Sequence, residues 1–180
     1  MTYYSGPDLA RAFRTVRKNT IQIAQEIPEE QYGFRAATGT RTVGETLAHL
    51  AARPRFHQAL HGRDKKTFLA FEDFGGYMSE VGAFEASLAG KNKAELIATL
   101  ESEGDTFARW LESLSATELG QAVGFPPPLD PSQKTRFEML LSAKEHEMHH
   151  RAQLMVVERM LGIVPHLTRA WNERAAAATR

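Results

Sequence analysis

The chain has 180 residues, and 42% of them are hydrophobic, enough to bury one core without staples. Its 22 Lys+Arg offset 22 Asp+Glu, so no net field exists to hold a nucleic acid or an acidic membrane surface. The absence of cysteine excludes disulfides, thiolate metal sites and a Cys nucleophile, which leaves any metal to Asp, Glu and the seven histidines.

In chain order, the first predicted helix runs from about Pro7 to Ile27. Leu9, Phe13, Val16, Thr20, Ile23 and Ile27 recur at steps of three and four, Pro7 suits a first turn, and Pro28 ends it. A second helix starts at Thr42, where Thr42-Val43-Gly44-Glu45 has capping-box spacing and Val43, Leu47, Leu50 and Ala51 fall on adjoining rows. Pro54 is expected to kink it or end its first half. The stretch from Phe68 to Met78 alone has the aromatic density of a strand, and Gly75-Gly76 interrupts it. Asn92 heads the third helix, in which Leu96, Leu100, Phe107, Trp110, Leu111 and Leu114 form a stripe. The fourth begins near Thr135, has Glu138 at capping-box spacing, and runs to Leu161, where Gly162 and Pro165 stop it.

These elements predict an all-α fold over residues 1–180, a single four-helix bundle with long inter-helix connections. The connections 28–41, 63–91 and 115–134 exceed the roughly 2–8 residues of an up-down bundle, leaving room for crossovers and for a lid over one end. Apolar runs stop at four residues, far short of the roughly 20 of a membrane helix, so no membrane partner is expected. The N-terminal residues lack the basic start and apolar stretch of a secretory signal, which makes the cytoplasm the expected location.

On the fourth helix, steps of about 100° bring Met139, Ala143, His146, His150, Val157 and Leu161 onto one arc. His146 and His150 are then inward polar interruptions of an apolar stripe, one turn apart, and two such imidazoles can share one cation. His49, among small and apolar residues of the second helix, is the natural third ligand. His57 and His61 form another pair of that spacing, read as a solvated helix end beside Gly62-Arg63-Asp64, while His149 and His166 fall outside the metal shell. Arg53 and Gln153 lie where they can orient a substrate carboxylate or a second-shell water, or simply cover surface. His146-Glu147-Met148-His149-His150 also spells H-E-x-x-H, in which a Glu is the general base of a zinc peptidase. No strand upstream would present a peptide, and position 156, where a third His would follow in one such class, is Val156. Glu147 is kept as a candidate catalytic base against the alternative of a surface Glu.

Thr40-Arg41-Thr42-Val43-Gly44-Glu45-Thr46-Leu47-Ala48-His49-Leu50, followed about a hundred residues later by His146-Glu147-Met148-His149-His150-Arg151-Ala152-Gln153-Leu154, resembles the DinB/YfiT-like superfamily. The resemblance implies a metal-binding four-helix bundle, often a homodimer, with one His from the second helix and a His-x-x-x-His pair from the last, which fall here on His49, His146 and His150. Arg41 stands where many members have Trp, and Ala152 where many have Gly, departures that touch the pocket wall and no ligand.

Three neutral imidazoles leave positions open on a divalent ion, zinc or nickel first, with manganese and iron also compatible. The resemblance points to a small-molecule substrate and a transferase or isomerase that uses a low-molecular-weight thiol. A metal-dependent hydrolase and a noncatalytic metal-binding protein are the alternatives.

Overall fold

The computed structural model describes residues 4–179 and is built mainly of helices: α1 (Gly6–Glu26), α2 (Val43–Ala52), α3 (Pro54–His57), α4 (Phe71–Ser87), α5 (Lys93–Glu112), α6 (Ala116–Gly120), α7 (Arg136–Met160) and α8 (His166–Ala178). Reciprocal capping boxes fix the starts of the four main helices: Ser5 with Asp8, Thr42 with Glu45, Asn92 with Glu95 and Thr135 with Glu138. α1 packs on α5 and α7, and α2 packs on the same two, so the first and second helices of the bundle lie diagonally opposite. α5 and α7 form the other diagonal, which is why the connections before α2 and after α5 have to be long. Among the described residues no helix is long and apolar enough to cross a membrane.

Pro54 acts as the sequence suggests. It ends α2, and the chain resumes as α3 and a π-helical turn, Gln58–Arg63. A proline has no N–H for the carbonyl four residues back, here that of Leu50. Arg17 fills that gap, donating from Nη2 to the Leu50 oxygen at 3.0 Å. The same guanidinium donates to the Leu100 carbonyl at 2.7 Å and to both oxygens of Glu147 at 2.8 and 2.9 Å. One buried side chain thus ties α1 to α2, α5 and α7. Gly104 makes room for it: a Cβ there would stand 3.0 Å from the Arg17 Cγ.

Two connections carry more structure than the sequence suggests. The 63–91 segment is no open lid, because α4 packs along α2 and α3 with Tyr77 and Val81 buried. The aromatic stretch read as strand-like opens this helix, with Phe71 and Phe74 exposed and Gly75-Gly76 tolerated inside it. Residues 115–134 hold α6 and the first strand of a short antiparallel ribbon, β1 (Ala122–Gly124) with β2 (Gln133–Thr135), that leads into α7. Beyond the stop at Gly162, α8 returns to α1, where Arg169 donates to Glu26 at 2.7 Å.

His57 and His61 are buried, which corrects their reading as a solvated helix end. Their rings stack at 5.8 Å. The π-helical turn sets His61 against Arg136 of α7, and His57 lies near Phe107 of α5, contacts that the local sequence does not announce. Arg136 donates to the His61 Nδ1 at 3.1 Å, so the ring proton of His61 sits on Nε2. Burial, then the Arg136 charge, lower its pKa to about 3, and burial pushes His57 well below the ordinary imidazole range. A depressed folded-state pKa gives stability that is present above the unfolded value of about 6.5 and is lost on acidification. Chelator-treated protein should therefore be less stable at pH 5 than at pH 7, His61 alone contributing about 2 kcal/mol. Denaturant unfolding at the two pH values checks this. His61→Gln should flatten the difference, and an unchanged difference in that variant contradicts the assignment.

Candidate metal centre

His49 comes from the buried face of α2, whose entry is clamped by the Gly44 N–H donating to the Tyr32 carbonyl at 2.9 Å. His146 and His150 come from the facing side of α7. One ligand nitrogen from each of the three lies within 4.8 Å of the others, the only such trio of potential ligand residues among the described residues. His49 and His150 are buried and His146 is half-buried.

The outer nitrogens are held. His49 Nδ1 donates to the Glu85 carboxylate at 2.8 Å, and His150 Nδ1 meets the Gln153 amide oxygen at 2.8 Å. Each contact puts the ring proton on Nδ1 and leaves the Nε2 lone pair bare. His49 Nε2 and His146 Nε2 stand 3.1 Å apart. Two nitrogens about 2.0–2.1 Å from a zinc ion at a tetrahedral angle lie about 3.3 Å from each other, so the spacing fits a shared divalent ion. Converging lone pairs repel unless a cation or proton lies between them.

Burial leads the causes that lower the pKa of all three rings, and His146 falls to about 3 with further help from His150 and Arg53. The rings are therefore neutral at pH 7, the form that ligates. A cleft of about 940 Å³ opens beside them, with Arg35, Arg41, Glu85, His150 and Gln153 in its walls. Three imidazoles, two of them held by outer partners, together with a neighbouring cleft make an arrangement that could hold a divalent ion.

Of the accessory residues read from the sequence, Gln153 contacts His150 directly, and its amide nitrogen lies 3.0 Å from His149 Nε2. Arg53 is half-buried near the trio, its Nη1 3.0 Å from the Met78 sulfur. His149 stays exposed, and His166 is buried elsewhere, 3.4 Å from the Asn19 amide oxygen. Glu147 is neither surface nor free. It is 2% exposed, and both of its oxygens are taken by Arg17.

A family model described as the DinB superfamily matches residues 12–154, which include all three histidines. The chain belongs to the DinB superfamily. Solved structures similar to this DinB-superfamily chain support the fold. YfiT from Bacillus subtilis has a TM-score of 0.64 at 16% identity, covering 91% of each chain; it is described as a probable metal-dependent hydrolase with an unusual four-helix bundle topology. A DinB-like protein of the same organism reaches 0.60 at 18% identity, covering 86% of this chain and 92% of its own. An uncharacterized protein from Clostridium difficile 630 reaches 0.66 at 14%, covering 88% and 98%. No functionally curated protein matches.

Glu85 is the site residue that sequence reasoning missed in this DinB-superfamily chain. Its signal was present: Tyr77, Val81, Phe84 and Leu88 mark one helical stripe, and Glu85 lies one turn beyond Val81 on α4. Two glycines and exposed aromatics at the start of that segment masked it.

Proposed function

We propose that the protein is a metal-dependent hydrolase of a small molecule, with His49, His146 and His150 as ligands of one divalent ion. The observation that carries this reading is the pair of anchored rings, His49 on Glu85 and His150 on Gln153, whose free nitrogens converge with His146 while His150 borders an open cleft. Imidazole donors suit zinc, nickel and iron, with manganese also compatible. A divalent ion supplies Lewis acidity there, lowering the pKa of a bound water toward about 7 or holding a thiol as thiolate. Similarity to YfiT, itself described as a probable metal-dependent hydrolase, supports hydrolysis.

Glu147 has no role as general base in this reading. Its carboxylate is the buried counter-ion of Arg17, which leaves proton handling to groups that open on the cleft. A second reading, transfer of a low-molecular-weight thiol to an electrophile, is favoured by the volume of the cleft, about 940 Å³, which exceeds what a small ester fills. Zinc-loaded protein should hydrolyse members of a panel of small esters and amides with no thiol present, and His150→Ala should lower the rate at least about a hundredfold. Turnover that appears only when a cellular thiol is added selects the transferase.

A homodimer completes the proposal. Met148, Val156 and Met160 are exposed apolar residues of α7, and Val164 and Trp171, the latter 70% exposed, are exposed on the following turn and α8. Such a patch suits a second copy. Light scattering should give twice the 20.1 kDa chain mass, and a mass of one chain contradicts this part.

A further inference from the structure

Beside His146 lies a second, smaller recess of about 130 Å³, bounded by Leu50, Arg53, His57, Ser142, His146 and Glu147. Its polar groups are unbalanced. Glu147 is neutralised by Arg17, and Glu85 accepts a hydrogen bond from His49 and faces Arg41, whose Nε lies 3.7 Å away. Arg53, half-buried, forms no ion pair among the described residues, and its one hydrogen bond goes to the weakly accepting sulfur of Met78. His57 is 5% exposed, and its Nδ1 has no hydrogen-bond partner. A buried polar nitrogen without a partner and a half-buried cation without a counter-ion both disfavour the fold unless something in the recess answers them. A divalent ion at the neighbouring trio would add two further positive charges.

We infer that this recess is a subsite for a carboxylate on the substrate, held by the Arg53 guanidinium and the His57 ring. Its volume corresponds to about four waters, room for a carboxylate on a short alkyl stub. Guanidinium binds carboxylate through paired N–H groups. A neutral imidazole has one N–H to donate, and the His57 ring borders the recess. His146 borders the recess, so a carboxylate bound there would place the bond a few atoms away beside the trio. The substrate class that follows is a small molecule with a carboxylate near its reacting bond. The inference deepens the proposed function, and rests on it only for where that bond lies.

Acetate is the probe, titrated into metal-free, nitrogen-15-labelled protein while the side-chain signals of Arg53 and His57 are followed. The expected result is a saturable shift with a Kd of about 1–10 mM, in keeping with a ligand of so few atoms. Arg53→Gln should weaken binding at least tenfold, and Ser142→Phe, at the exposed mouth, should block it without disturbing the core. No saturable shift in the unsubstituted protein, or one unchanged in both variants, overturns the subsite. Zinc uptake measured on the same samples separates the two claims: acetate binding without zinc uptake fails the metal reading alone, and zinc uptake without acetate binding fails the subsite alone.

Discussion

Glu147→Ala should destabilise the protein by about 3–5 kcal/mol, the usual consequence of leaving one charge of a buried pair uncompensated. The abandoned charge is Arg17, 4% exposed, with its remaining donors on the carbonyls of Leu50 and Leu100. Arg17→Ala should have an effect of the same order, because it strands the Glu147 carboxylate and uncovers the Leu50 carbonyl that Pro54 leaves without a donor. The double variant Arg17→Met, Glu147→Leu should recover much of the loss, since the volume is filled and no charge is stranded. Denaturant unfolding of the four proteins checks these expectations. A Glu147→Ala chain as stable as the parent would return Glu147 to the list of candidate bases.

The second large effect is on metal-linked stability. At a zinc concentration about a thousand times Kd, binding to the folded state should stabilise the chain by about 4 kcal/mol, read as a shift of the unfolding midpoint. His150→Ala should remove that increment. Glu85→Gln, which weakens the hold on His49 Nδ1 while keeping the ring, should reduce zinc affinity about 10–100-fold. The sign of the pH dependence follows from the lowered pKa values. With the three folded-state rings below the ordinary imidazole value, His146 at about 3, protons compete poorly, so release should begin below pH 6.5. Loss of the zinc increment already at neutral pH would contradict the neutral, desolvated trio.

Much of the bundle was legible because its signals are local. Thr42, Asn92 and Thr135 cap helices three residues ahead of an acidic partner, and the apolar steps of α1 and α5 face the core they predict. α7 was harder to orient. Its most buried positions include Leu140, Glu147, Leu154 and Glu158 as well as His150, so the true inward face is turned toward charged residues that a hydrophobic pattern assigns outward. Glu147 can sit there only because Arg17 arrives from a helix 130 residues earlier in the chain, a pairing that no local window contains. The trio of histidines was readable from spacing and motif, whereas Glu85 and the recess beside Arg53 arise from tertiary packing of α4 and of the turn after Pro54.

The most direct test of the central claim counts ions. Protein purified without a nickel column, dialysed against zinc and freed of excess, should hold close to one ion per chain by elemental mass spectrometry. His49→Ala and His146→Ala should hold almost none, while His149→Ala, changed beside the site and outside the trio, should stay close to one. Full occupancy in His49→Ala and His146→Ala, or loss of the ion in His149→Ala alone, would contradict the assignment.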